Sequence, residues 1–232
     1  MALKGIIWDF DGVILDSFED QFEWFRKVCR IFSKPFVYTN TEDFRRDFRE
    51  PVCPAMYDLL GFDWNNERDI IWEYYHEHKR HAKIRLVRGI EKAITELDAS
   101  GYKQCIASSN AHEGIEKRLD ENELRKYFPI IVAKEDLPIE NNEPRYKPHP
   151  DCLLICFERL GLKPWECVYI GDQVSDIKAA RNVKSIAGAN LPVIAVSYGY
   201  GTWQSLKAAS PDYPKESPIE TPEELLEIIR RL

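Results

Sequence analysis

No stretch of about 18 consecutive apolar residues occurs in the chain, so no membrane-spanning helix is expected. None of the six cysteines falls in a Cys-x-x-Cys pair. Cys29, Cys53, Cys105, Cys152, Cys156 and Cys167 are scattered, which argues against a zinc site or disulfide framework. They read as small buried hydrophobes in a reducing compartment. An excess of positive charge is also missing: 32 basic against 39 acidic residues leave a net charge of −7. Such a chain repels duplex nucleic acid and anionic membrane in general, although a local pocket can still hold an anionic small molecule. Internal repeats and low-complexity tracts are absent. The first residues reach a carboxylate at Asp9, leaving no room for a signal peptide, and a cytoplasmic location is the expectation.

What is present suits one large domain, or a domain with an insert: 232 residues, 44% of them hydrophobic. Short apolar runs recur, each ending in turn-forming or polar residues. They are Leu3 to Trp8, Gln104 to Ala107, Pro129 to Ala133, Cys167 to Ile170 and Pro192 to Val196. Their length predicts buried strands. Between them lie helical spacings: Ile90, Ala93, Ile94 and Leu97 before Gly101, then Ile115, Leu119 and Leu124. Leu153, Leu154, Phe157 and Leu160 run into Gly161, and Ile177, Ala180 and Val183 follow Asp176. Residues 222 to 232 carry acids early and Arg230-Arg231 late, as a helix dipole favours. Strand alternating with helix predicts an α/β fold with a Rossmann-like, doubly wound parallel sheet. Ligands bind such sheets at the carboxyl ends of the strands.

Residues 17–85 break the alternation, so the expected organisation is a core of residues 1–16 and 86–232 with a helical insert over 17–85. Phe18, Phe22, Phe25, Cys29 and Phe32 mark one apolar helix face, and Ile70, Ile71 and Tyr74 a second helix. Trp24, Trp64 and Trp72 read as core. Arg45, Arg46 and Arg49 form either a solvated basic face paired with Asp43, Asp47 and Glu50, or an anchor for a second anionic group of a ligand. His76, His78 and His81 invite a metal reading, but His76 points away from the face that His78 and His81 share, and with Lys79 and Arg80 among them they read as a solvated helix. Two stretches, 139–146 and 210–222, are read as loops.

The chemistry gathers at strand ends. In Trp8-Asp9-Phe10-Asp11-Gly12-Val13 two carboxylates stand one residue apart. Without a cation each raises the other's pKa, and oxygen-only ligands suit a hard ion such as magnesium. Alone, the pair also fits a turn or a calcium loop. Tyr169-Ile170-Gly171-Asp172 ends another strand with a carboxylate, and Asp176 follows in the first helical turn. Ser108-Ser109-Asn110 offers hydroxyl and amide donors, or a simple helix cap. Arg145-Tyr146-Lys147-Pro148-His149-Pro150-Asp151 places a lysine just before two prolines, which stiffen the backbone on either side of His149 and could hold Lys147 in position.

Together these four segments, in this order, resemble the haloacid dehalogenase superfamily, with the helical insert where that superfamily carries its first cap domain. The resemblance implies that Asp9 is a nucleophile forming an aspartyl-phosphate and Asp11 the general acid and base. It implies that Ser108, with Ser109, and Lys147 hold the phosphoryl group. Magnesium would be bound by Asp9, Asp11 through its backbone carbonyl, and Asp172, with Asp176 in support. An Asp at position 11 resembles the phosphatases and sugar phosphomutases rather than the dehalogenases. The expectation is a magnesium-dependent phosphatase acting on a small phosphorylated metabolite. A phosphomutase and a catalytically silent binding protein are the alternatives. Two departures stand out: Trp8 is bulkier than the usual neighbour of the nucleophile, and residues 139–145 make a longer approach to the lysine.

Overall fold

A computed structural model of the chain describes residues 2–50 and 52–232. In order it forms β1 (Gly5–Trp8), β2 (Leu15–Asp16), α1 (Phe18–Ile31), α2 (Thr41–Asp47), α3 (Val52–Leu59), α4 (Trp64–His81), β3 (Arg85–Leu86), α5 (Ile90–Ala99), β4 (Lys103–Ala107), α6 (His112–Glu121), β5 (Ile130–Val132), β6 (Ile139–Glu140), β7 (Glu143–Pro144), α7 (Asp151–Leu160), β8 (Cys167–Gly171), α8 (Val174–Ala187), β9 (Val193–Ala195), α9 (Trp203–Ala208) and α10 (Pro222–Ile229). The chain divides into two compact units, residues 1–15 with 86–232, and residues 16–85.

In the larger unit the five apolar runs pair as one parallel sheet of order β5-β4-β1-β8-β9. Side chains alternate across a strand, so each run buries both faces. On one face Ile7, Cys105, Val132 and Tyr169 pack with Leu153, Cys156 and Phe157 of α7 and with Ile177 and Ala180 of α8. On the other, buried Gln104 is held at both ends of its amide: its Nε2 donates to the Ile94 carbonyl of α5 at 3.0 Å, and its Oε1 accepts from Trp8 Nε1 at 3.0 Å. Trp8 is therefore a core residue, fully buried and with its one polar atom satisfied.

Order along the sheet decides where a ligand can sit. From β1 the chain winds to β4 and β5 on one side, then returns to β8 and β9 on the other. The direction reverses between β1 and β8, and the crevice at such a reversal is where doubly wound sheets bind ligands.

Two readings of the sequence need correction. Residues 139–146 hold a small hairpin, β6 paired antiparallel with β7, rather than an irregular loop. Asn141 and Asn142 at its tip have φ of 52° and 66°. Asparagine tolerates this left-handed backbone, and two such residues in succession make the tight turn that joins twisted strands. Helix α9 was not foreseen, although Thr202 caps it by accepting from Ser205 N–H. Leu124 lies beyond the end of α6 and is buried all the same.

The smaller unit is organised around Phe44, which is fully buried. Its ring lies 5.2–6.0 Å from those of Phe18, Phe22, Phe25, Phe36, Tyr38 and Phe48. Trp24 is fully buried and donates to Tyr57 Oη at 2.9 Å, whereas Trp72 is 36% exposed. The three histidines do not converge. His76 stacks on Trp72, His81 meets Glu77 at 2.9 Å, and His78 joins Asp20 of α1 at 2.9 Å beside Lys79 at 2.7 Å. Arg46 pairs with Asp43, and Arg45 lies 4.1 Å over the Phe18 ring. The Arg49 N–H donates to Met56 Sδ at 3.1 Å.

Two outcomes follow for stability. Phe44→Ala empties the centre of the ring cluster and should cost about 3–5 kcal/mol in chemical denaturation, with Phe44→Leu costing less. Burial alone would raise the Asp20 carboxyl, but His78 and Lys79 outweigh it and hold the pKa below the ordinary carboxylate value. A depressed folded-state pKa stabilises the fold above the unfolded value, and that contribution drains as pH falls through the folded one. The stability gap between wild type and Asp20→Asn should be open at neutral pH and close as pH drops below about 4. A gap independent of pH would contradict the pairing.

Candidate active site

The residues that end β1, β4 and β8 meet because those strands are neighbours in the sheet. Backbone pairing runs one residue past each strand: Asp9 N–H donates to the Ile170 carbonyl at 2.8 Å and Ser108 N–H to that of Val132 at 2.9 Å. Asp9, Ser108 and Asp172 are buried, at 5%, 3% and 0% exposure. After Asp9 the chain turns at once, with Ile14 and Leu15 N–H both donating to the Phe10 carbonyl at 2.9 Å. Gly12 makes this possible: its φ is +77°, and a Cβ there would run into Asp172 Oδ2. Gly199 faces the same oxygen from the loop after β9.

Lys147 is the cation of the site. Its ammonium donates to Asp9 Oδ1 at 2.7 Å, to Asp176 Oδ1 at 2.7 Å and to Tyr169 Oη at 2.9 Å. Tyr169 Oη in turn donates to Asp176 Oδ1 at 2.6 Å. The other oxygen of Asp176 accepts from the N–H groups of Asp172 at 3.1 Å and Gln173 at 3.0 Å. A carboxylate accepts about four hydrogen bonds, so Asp176 is fully committed to protein donors. Asp172 is not. Its Oδ2 accepts from Tyr200 N–H at 2.5 Å, while its buried Oδ1 has no partner among the described residues.

Charge does not balance in this space. Asp9, Asp172 and Asp176 each place an oxygen within 4.8 Å of the others, against one ammonium. Burial pushes the Asp9 carboxyl up to about 7, with Lys147 pulling it down and Asp176 pushing it up. Burial, then Asp176 and Asp9, raise Asp172 well above the carboxylate range. Burial alone would lower Lys147, but Asp176 and Asp9 hold it well above its ordinary value. An unpartnered buried carboxylate oxygen among acids is what a hard divalent cation satisfies. Among the described residues these three acids are the one cluster of His, Cys, Asp or Glu able to hold an ion. The donor set fits such a cation through Asp172 and Asp9, and Asp176 has no oxygen to spare for direct contact.

The structure thus brings Asp9, Lys147, Asp172 and Asp176 into direct contact or close approach. Asp11 joins through Asn110, whose Nδ2 donates to Asp11 Oδ2. Ser108 lies one link away, its Oγ accepting from Asn110 N–H at 3.1 Å. Ser109 is exposed, and among the described residues no hydrogen bond ties its side chain to the site. Sequence reasoning missed Tyr169 and the Arg145–Asp151 pair, and it offered the Asn110 amide as a donor without its partner, Asp11. Asn110 stood in the quoted Ser-Ser-Asn segment, and Tyr169 shares a strand face with Gly171 two residues on, so both carried a positional signal. Arg145 grips Asp151 with two hydrogen bonds of 2.9 and 2.6 Å, closing the loop that presents Lys147.

Comparison with known proteins gives the same direction. The family model described as haloacid dehalogenase-like hydrolase matches residues 6–189. The pyrophosphatase PpaX of Bacillus cereus is 26% identical over 216 residues, 92% of each protein. The phosphorylated carbohydrates phosphatase of Thermotoga maritima is 27% identical over 185 residues, 78% of this chain and 81% of that protein. Among solved structures, a haloacid dehalogenase-like family hydrolase from Streptococcus pneumoniae superposes with a TM-score of 0.76 at 21% identity, covering 97% of this chain and 98% of that one.

The charge imbalance has a measurable consequence apart from turnover. Asp172→Asn replaces a buried carboxyl whose ionisation burial, Asp176 and Asp9 oppose with a neutral amide, so its melting temperature without metal should rise by a few degrees. Added magnesium chloride should raise the wild-type melting temperature and leave the variant unmoved. A variant less stable than wild type without metal would refute the imbalance.

Proposed function

The chain belongs to the haloacid dehalogenase-like hydrolases, and on that premise we propose that it is a magnesium-dependent phosphatase of a small phosphorylated metabolite, working through an aspartyl-phosphate on Asp9. The observation that carries this reading is the Asp9 carboxylate at the central strand end, 2.7 Å from the Lys147 ammonium and with an oxygen within 4.8 Å of one from Asp172, a buried carboxylate with an unpartnered oxygen.

The chemistry demands such a set. Phosphate monoesters are dianions and among the slowest of biological groups to hydrolyse unaided. A carboxylate nucleophile approaching one is repelled unless positive charge is already in place. Lys147 is held by two carboxylates and a hydroxyl before substrate arrives, so no reorganisation is needed to offer it. Asp9 and Asp172, with the Asp11 carbonyl, would hold magnesium, which when bound supplies the remaining positive charge. Ser108 and Lys147 would orient the phosphoryl oxygens. Asp9 would attack phosphorus while Asp11 protonates the leaving oxygen, and Asp11 would then take a proton from the water that releases phosphate. Residues 17–85 are assigned to substrate selection as the cap. The relatives named as phosphatases act, by their names, on pyrophosphate and on phosphorylated carbohydrates, which supports hydrolysis of a terminal phosphoryl group over its internal transfer.

A screen of small phosphorylated metabolites with magnesium should release inorganic phosphate from at least one. Asp9→Asn should abolish release, and Lys147→Met should lower it by about a hundredfold or more while the protein stays folded. Conversion of a hexose phosphate to its isomer without free phosphate would overturn the hydrolase reading. Full activity of Asp9→Asn would overturn the mechanism.

A further inference from the structure

Among the described residues, Asn110 is the sole hydrogen-bond partner of the Asp11 carboxylate. Its own place is set by the backbone at both ends. Asn110 N–H donates to Ser108 Oγ at 3.1 Å, and its carbonyl accepts from Lys134 N–H at 2.9 Å. Asn110 is thus pinned between the end of β4 and the turn after β5, and its carboxamide spans to the loop after β1. An amide nitrogen donates and does not accept. Facing a carboxylate, the Asn110 carboxamide must turn its nitrogen toward it, and that nitrogen occupies Oδ2. Oδ1 receives no hydrogen bond from the described residues. The two oxygens of Asp11 are therefore inequivalent before any substrate arrives.

We propose that Asn110 is a positioning residue that aims Asp11, holding Oδ2 so that Oδ1 faces the oxygen of the leaving group. This rests on the phosphatase reading above. In the step concerned, the Asp9 carboxylate forms a bond to phosphorus as the bond from phosphorus to the ester oxygen breaks. The ester oxygen keeps the electron pair and takes the proton from Asp11 Oδ1. The products are an alcohol, phosphorylated Asp9 and ionised Asp11, with the Asn110 N–H on Oδ2 throughout. Without Asn110 the carboxyl group is free to rotate about its Cβ–Cγ bond, and the proton is presented to the ester oxygen in only part of its orientations.

Such a role acts on one bond, so it has a signature that loss of fold or of phosphate affinity does not share. Two aryl esters that differ only in a ring nitro group separate it: 4-nitrophenyl phosphate, whose leaving group departs without a proton, and phenyl phosphate, whose more basic leaving group needs one. With magnesium present, Asn110→Ala should lower kcat/KM more for phenyl phosphate, so that the ratio of phenyl to 4-nitrophenyl values falls on the order of tenfold. Asn110→Asp, equal in size but with no N–H to give, should shift the ratio the same way and serves if the alanine variant does not fold. An unchanged ratio in both variants overturns the assignment of Asn110, even where wild type is active and Asp9→Asn is dead. No phosphate from either probe or any metabolite with wild type would instead refute the phosphatase reading, and the role of Asn110 would fall with it.

Discussion

The Lys147 ammonium, shared between Asp9 and Asp176, is the contact on which the rest of the site depends. It joins three pieces of chain distant in sequence: the end of β1, the loop before α7 and the first turn of α8. A buried ion pair is worth little to stability when its geometry is imperfect, because both charges lose their hydration. Here the ammonium is met by two carboxylates and a tyrosine hydroxyl, and Asp176 is met by four donors. That saturation leaves Lys147 one arrangement in which all its partners are satisfied, which places the cation beside Asp9 in advance of any ligand.

Saturation at Asp176 is matched by a deficit at Asp172. The backbone builds the deficit deliberately close. Gly12 and Gly199 lack the Cβ atoms that would strike Asp172 Oδ2, so two loops close on that side of the carboxylate, while Oδ1 is buried without a partner among the described residues. A polar atom left this way costs stability unless a ligand repays it. Sites that trade stability for ligand binding usually become more stable when the offending group is neutralised. The same arithmetic separates the acids by role: Asp176 organises protein groups, whereas Asp172 is available to a cation.

Much of this was legible in the residues alone. The five apolar runs are short, end in turn-forming or polar residues and alternate with helical spacing, so the parallel sheet and the strand-end position of Asp9, Ser108 and Asp172 could be read from pattern. Lys147 was legible through order rather than local character, since a single lysine between prolines has no periodicity to betray it. What escaped was set by contacts that sequence distance hides. Tyr169 looked like one more apolar strand residue, and only the packing of α8 against β8 gives its hydroxyl a carboxylate. Asn110 looked like a cap, and its amide reaches Asp11 across 99 residues of sequence because β4 lies beside β1. The hairpin at 139–144 escaped because paired asparagines read as loop until their backbone is known to be left-handed. Within residues 16–85 the apolar stripe of α1 was plain, but the central place of Phe44 follows from where a short helix, α2, meets it.

Under the proposed mechanism every one of these features serves covalent capture of phosphorus by Asp9, and that capture can be seen directly. The decisive measurement is mass spectrometry of the enzyme quenched in acid during turnover of a phosphate ester with magnesium. The account predicts a phosphoryl group on the peptide that carries Asp9, formed at a rate at least equal to turnover and discharged by hydroxylamine, as an acyl phosphate is. Continued phosphate release with Asp9 never phosphorylated, or with the phosphoryl group on another side chain, would contradict it.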